Sequence, residues 1–134
     1  MKNSKVLKII LLLSGLIAVG VGGIILTMPV AFYSSSGINI EGNISLLNEI
    51  RASGGVLLVC GILISLGAFV TKLTFTSTII STLLYLSYGL SRLLSIVFDG
   101  MPVEALVQAA ILEIVIGLIC VFALVKYSVK DSLN

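Results

Sequence analysis

Polar and charged side chains interrupt the apolar stretch between residues 74 and 99, where they recur every three or four positions. In a helix this spacing places them on one face. The members of this polar stripe are Thr74, Thr78, Ser81, Tyr85, Tyr88, Arg92, Ser95 and Asp99. A charge at the centre of a bilayer costs about 2.5–3.5 kcal/mol, so the stripe must face partner groups or a cavity rather than lipid. The spacing predicts a polar site inside a membrane-embedded bundle.

A carboxylate on a later helix could complete that site. Glu113 lies about 16 Å along its helix from Pro102, at 1.5 Å per residue, which is near the middle of a bilayer. Small side chains surround it on the same side of the helix, and small residues mark surfaces that pack against protein. These neighbours are Ala109, Ala110, Gly117 and Cys120.

A second charged pair, Glu49 and Arg51, opens another long apolar segment. The two residues are two positions apart, so they point in different directions and cannot neutralise each other. We therefore expect Arg92 to pair with Glu113 or Glu49, and Arg51 to pair with the carboxylate that remains. The tyrosine hydroxyls could bond the same carboxylates. The candidate ligand-binding residues are Glu49, Arg51, Tyr85, Tyr88, Arg92 and Glu113.

The composition requires a membrane environment for these residues. The chain has 134 residues, of which 58% are hydrophobic and 10% charged, with a mean hydropathy of +1.24. Soluble domains have about 45–50% apolar and about 25% charged residues. Because one span takes roughly 20 residues, four spans with short loops use most of the chain. We predict a single all-α domain, a four-helix transmembrane bundle with spans at about 7–28, 46–70, 74–98 and 102–127.

Local signals set the limits of these spans. The uncharged run 9–28 exceeds the roughly 7–15 residues of a signal-peptide core, and no small-x-small cleavage site follows, which favours a retained first helix. Pro29 ends that helix or lies at its edge, and residues 30–43 form the longest connection. Asn43 or Ser45 is expected to cap the second helix, although residues 43–45 also match a glycosylation acceptor. The sequence Asp-Gly-Met-Pro at 99–102 predicts a tight turn.

Faces of small residues recur along the first two long helices. The first helix carries Ser14, Ala18 and Gly22 at four-residue spacing. The second carries a longer face, which comprises Arg51, Gly54, Leu58, Gly61, Ser65 and Ala68. Small residues let helices approach closely in lipid, so these faces predict helix packing, and they would also allow a homo-oligomer.

The lysines predict the orientation. With four spans, all loop lysines fall on one side: Lys2, Lys5, Lys8, Lys72, Lys126 and Lys130. The other side carries the acidic residues Glu41, Asp99 and Glu104 and no lysine. The positive-inside rule then places both termini in the cytoplasm, and the polar site opens toward the outside.

Several function classes lack support. There is no histidine, phosphate-binding loop, metal-ligand cluster or nucleophile motif, so no metal or cofactor is expected. The cysteines lie inside apolar runs and are expected to be buried core residues, and the net charge of +2 gives no nucleic-acid signal. The leading hypothesis is a protein that binds or transports a small molecule, lipid or ion. The alternatives are an accessory subunit whose ion pairs only fix helix packing, and a membrane-embedded enzyme for a lipid-like substrate.

Four motifs together resemble a family of small bacterial membrane proteins catalogued as domain of unknown function 4345. They are the Glu-x-Arg with glycines in 48–55, the Arg-x-x-Ser in 89–95, the Asp-Gly-x-Pro turn at 99–102, and Glu113 with Gly117. The likeness extends from the first helix through the fourth, and Ala52 stands where the pattern has a glycine. The resemblance implies a four-helix protein of a bacterial inner membrane, and it brings no established activity with it.

Overall fold

The computed structural model describes the backbone of residues 4–132 and the side chains of residues 4–128. Five helices and no strand occur in this part of the chain, which confirms the all-α prediction. They are α1 (Lys5–Thr27), α2 (Pro29–Ser34), α3 (Ile44–Leu66), α4 (Thr71–Asp99) and α5 (Glu104–Ser132). The four long helices α1, α3, α4 and α5 are each long and apolar enough to cross a membrane. Of the lysines that predict the orientation, Lys2 and the side chain of Lys130 lie outside the described residues.

Turn chemistry explains most of the observed helix limits. The Asn43 side chain accepts a hydrogen bond from the Leu46 amide at 3.0 Å, so α3 begins at Ile44, two residues before the expected position. Gly100 has φ +94° and ψ −175°, a conformation that is essentially restricted to glycine, and it ends α4 at the predicted turn. The short helix α2 was not predicted. It lies in the segment expected to be a connection, and Pro29 occupies its first turn, where proline is well tolerated.

Helices α1 and α3 form one tightly packed antiparallel pair. A β-carbon added at Gly22 would lie 2.7 Å from the Gly54 carbonyl oxygen, and one added at Gly61 would lie 2.8 Å from the Gly15 carbonyl oxygen. These glycines therefore let the two backbones touch, as the predicted faces of small residues require.

Helices α4 and α5 form the second pair. A β-carbon at Gly89 would lie 3.1 Å from the amide nitrogen of Ile114, and one at Gly117 would lie 3.1 Å from that of Leu86. The two pairs are joined by the short turn between α3 and α4, where Thr74 Oγ1 donates to the Gly67 carbonyl at 2.8 Å. Between the pairs, α1 and α5 touch only sparsely.

The bundle has two different ends. The end where α1 begins and α5 finishes, here called the terminal end, contains a closed apolar core. The buried members of this core are Leu7, Leu11, Ile64, Ala68 and Ala123. The opposite end carries α2 and the Gly100 turn, and is called the α2 end. A cavity lies in that half of the bundle, and it forms the site considered next.

Candidate functional site

A cavity of about 230 Å³ lies between the two helix pairs in the α2-end half of the bundle. All five helices or their adjoining turns contribute to its wall. One part of the wall is aliphatic: Ile17, Ala18, Val21, Ile25, Leu57, Ala105, Leu106, Ala109 and Leu112. The other part is aromatic or polar: Phe32, Tyr33, Ser36, Ser53, Tyr85, Tyr88, Arg92 and Glu113. The cavity is therefore amphipathic.

A bidentate ion pair between Arg92 and Glu113 lies in the polar part of the wall. Arg92 Nε donates to Glu113 Oε2 at 2.8 Å, and Arg92 Nη2 donates to Glu113 Oε1 at 3.2 Å. The close approach of α4 and α5 at Gly89 and Ile114, one turn before Arg92 and one residue after Glu113, brings the two side chains within reach. Of the two predicted partners, Glu113 and Glu49, Arg92 therefore pairs with Glu113. The Arg92 side chain keeps 31% of its surface exposed and that of Glu113 keeps 16%, so both groups face the cavity rather than a closed core.

The two tyrosines of the polar stripe line the cavity but do not bond the carboxylates. The hydroxyl of buried Tyr85 donates to the Ser14 carbonyl of α1. The hydroxyl of Tyr88 lies 2.6 Å from Ser53 Oγ of α3. The expectation of tyrosine–carboxylate hydrogen bonds was therefore wrong, because each hydroxyl bonds a partner on α1 or α3. The tyrosines instead connect α4 to the α1–α3 pair.

Two of the predicted site residues lie elsewhere. Arg51 Nη1 donates to the carbonyls of Leu26 and Thr27, with a 3.4 Å distance to the latter, so it does not pair with a carboxylate as predicted. These carbonyls end α1, where helix geometry leaves oxygens without partners and a cation is favoured. Glu49 is exposed and does not line the cavity. The structure therefore brings together Tyr85, Tyr88, Arg92 and Glu113, and separates Glu49 and Arg51 from them.

Helix α2 supplies wall residues that sequence reasoning did not include. Phe32 and Tyr33 follow Pro29 in the segment expected to be a connection, yet both line the cavity. Burial raises the pKa of Tyr33, with the nearby Arg92 charge opposing the shift and Tyr88 adding to it. Tyr33 therefore presents a neutral phenol. The aromatic pair after a proline was the available signal, but it did not reveal that the chain folds back over the bundle.

A layer of buried hydroxyl groups, here called the floor, lies beyond the cavity wall toward the terminal end. Ser81 Oγ donates to Ser14 Oγ at 3.1 Å and lies 3.2 Å from Cys120 Sγ. Below this contact the polar stripe is buried at Thr74 and Thr78, whereas its far end, Ser95 and Asp99, is exposed. The inward orientation of the stripe is confirmed over its buried part, and the cavity is closed toward the terminal end.

The cysteines fit this packing. Cys120 is buried, Cys60 is half-buried, and both are free thiols. Within the described residues, no group of three or more histidine, cysteine or acidic side chains comes together to hold a metal.

The family described as Domain of unknown function (DUF4345) matches residues 6–124. The matched segment includes the four long helices through residue 124 and every residue that lines the cavity. No curated protein and no solved structure matches the chain. The resemblance carried by the Glu-x-Arg, Arg-x-x-Ser and Asp-Gly-x-Pro motifs is confirmed, and the chain belongs to the DUF4345 family.

Proposed function

We propose that this membrane protein binds a small amphiphilic molecule in the cavity between its two helix pairs. One observation carries the proposal: the Arg92–Glu113 pair lies in the wall of a cavity whose opposite wall is aliphatic. Ligand sites are typically concave and mostly apolar, with a few convergent polar groups that fix the ligand's orientation. Ionisable groups at membrane depth also mark functional sites more often than not.

A role in helix packing alone explains the Arg92–Glu113 pair less well than ligand binding does. The α1–α3 and α4–α5 seams are closed by glycines and apolar side chains, so neither seam needs the ion pair to bring its backbones together. A pair that served only to fix helix register would gain from being fully enclosed, because unfilled space forfeits dispersion contacts. The open space beside Arg92 therefore favours binding over a purely structural role.

We further propose that the cavity faces the outside of a bacterial plasma membrane, with both termini in the cytoplasm. The lysine distribution supports this orientation, since the terminal end carries Lys5, Lys8, Lys72 and Lys126 while the α2 end carries Glu41, Asp99 and Glu104. Transport would require the buried hydroxyl floor to open. The closed floor thus supports binding more directly than transport.

The experiment is a titration with monolaurin of the detergent-purified protein, read by native mass spectrometry. Ala109 lines the cavity, so Ala109→Phe should fill it with an aromatic ring and lower retention of the probe. The matched control is Ala52→Phe, which adds the same ring at an exposed position of α3 that does not line the cavity.

We expect the parent protein and Ala52→Phe to retain one molecule of monolaurin with equal affinity. Ala109→Phe should lose about tenfold or more in affinity, equivalent to 1.4 kcal/mol, since the cavity no longer admits the chain. Circular dichroism and thermal melting check that each variant is folded. The proposed function would be overturned if Ala109→Phe retained monolaurin, and also laurate and dodecylamine of the same chain length, as well as the parent does.

A further inference from the structure

The polar part of the cavity wall has no net charge. Among the lining residues, Arg92 and Glu113 are the only charged side chains, and they neutralise each other at 2.8 Å. The remaining polar groups are hydroxyls, and they belong to Tyr33, Ser36, Ser53, Tyr85 and Tyr88. The phenol of Tyr33 stays neutral because burial raises its pKa.

The same part of the wall offers both donors and acceptors. Each carboxylate oxygen of Glu113 accepts one hydrogen bond from Arg92 and keeps a lone pair for a further donor. Arg92 uses only its Nε and Nη2 hydrogens there, and a guanidinium carries further N–H donors that can bond an acceptor. A head group that carries carbonyl or hydroxyl oxygens would satisfy these donors.

A charged head group fits this environment poorly. An anion close enough to bond Arg92 would also lie beside the Glu113 carboxylate, and a cation beside Glu113 would face the guanidinium. Like charges placed together in an interface cost several kcal/mol, and the neutral pair offers no net attraction to offset that cost.

The size and surroundings of the cavity limit the apolar part of the ligand. Its volume of about 230 Å³ lies below the roughly 300–1,000 Å³ typical of drug-sized sites, which favours one hydrocarbon chain over two. The sparse contact between α1 and α5 leaves a side of the cavity through which a chain could enter from the lipid. Leu57, Leu106 and Leu112 lie along the aliphatic wall that such a chain would cover.

We infer that the ligand is an uncharged single-chain lipid with ester or hydroxyl oxygens in its head, of the monoacylglycerol class. The head bonds Arg92 beside its pair with Glu113, and the chain lies on the aliphatic wall. This inference rests on the proposed function and names the ligand class of the same cavity.

The test compares three probes with the same lauryl chain: uncharged monolaurin, anionic laurate and cationic dodecylamine, at a pH where laurate is ionised. Native mass spectrometry ranks their affinities for the purified full-length protein. The parent protein should bind monolaurin about tenfold or more tightly than either charged probe, since each charged head meets a like charge.

Charge-removing variants should redirect this preference. Glu113→Gln leaves the Arg92 charge unpaired, so laurate should become the tightest probe. Arg92→Gln leaves the Glu113 charge unpaired, so dodecylamine should become the tightest. The matched control is Glu104→Gln, which removes an exposed carboxylate from the same helix, outside the cavity wall, and should keep the parent ranking.

The outcomes separate the two proposals. If the parent binds laurate or dodecylamine best, and Ala109→Phe weakens that binding, the head-group inference is overturned while the proposed function stands. If Ala109→Phe affects none of the three probes, the proposed function itself is overturned. The parent ranking needs no substitution, so it decides the head-group question even if a charge variant does not fold.

Discussion

The substitution Gly22→Ala should destabilise the bundle by forcing α1 and α3 apart. The added β-carbon would lie 2.5 Å from the Leu58 amide nitrogen, 2.7 Å from the Gly54 carbonyl oxygen and 2.8 Å from Leu57 Cβ. Two of these three atoms belong to the backbone of α3 and cannot rotate away. The neighbouring Gly23 is the matched control, because a β-carbon there meets nothing within 4 Å.

The magnitude follows from the competing effects. If the added β-carbon moves α1 and α3 apart by about 0.5–1 Å, each atomic contact between them loses a quarter to a half of its dispersion energy. Substitutions that overpack a site typically cost about 1–3 kcal/mol. Replacing a helical glycine by alanine stabilises the helix by at most about 1 kcal/mol, because alanine has the higher helix propensity. We therefore expect Gly22→Ala to lose about 1–2 kcal/mol of unfolding free energy. Gly23→Ala should be neutral or gain up to about 1 kcal/mol.

A thiol-reactive fluorogenic maleimide provides the assay. Cys120 is fully buried, so it should react only when the bundle unfolds during heating. All variants carry Cys60→Ala, which removes the half-buried thiol. The expected order of melting temperatures places Gly22→Ala below the parent and Gly23→Ala at or above it. If Gly22→Ala melts as high as Gly23→Ala, the close packing of α1 on α3 does not govern stability and the reasoning fails.

Two more predictions concern residues at the α2 end. Arg51→Gln removes the charged donor from the Leu26 and Thr27 carbonyls, so the same melting assay should show a loss of about 0.5–1.5 kcal/mol, whereas an unchanged melt would show that this contact contributes nothing. Burial raises the pKa of Tyr33 above its ordinary value of 10.0, so its contribution to stability is complete below pH 10.0 and is lost as the pH rises through the shifted pKa. Tyr33→Phe should therefore lessen alkaline destabilisation and remove a late step from the tyrosinate absorbance titration. Loss of a step at the ordinary pKa of 10.0 instead would contradict the assigned burial.

The sequence predicted the parts of the site that depend on helix periodicity. The three- and four-residue spacing of the polar stripe placed Tyr85, Tyr88 and Arg92 on one face, and that face lines the cavity. Depth along the helix made Glu113 a partner for Arg92, which the ion pair confirms. Periodicity works here because each long helix is regular, so a residue's number fixes both its direction and its height.

Contacts between helices could not be predicted in the same way. The partner of Arg51 is a pair of backbone carbonyls. Every residue has a backbone carbonyl, so the residue types do not indicate which one will bind the arginine. Helix α2 was missed because a single turn after Pro29 is held by its packing on the bundle rather than by a periodic pattern. The faces of small residues predicted that helices approach each other closely. They did not predict that α1 would pack against α3 and that α4 would pack against α5.

The bundle consists of two helix pairs, each held in close contact at glycines. This division affects which positions can change in sequence without unfolding the protein. Each pair closes its own seam at Gly22 and Gly54 or at Gly89 and Gly117, and lining positions such as Leu106 and Leu112 lie outside the closest contacts of these glycines. Effects of substitutions at separate sites with no shared partners usually add. Mutations at such lining positions can therefore reshape the cavity while the seams keep the protein folded, which leaves the cavity wall free to change on a constant scaffold.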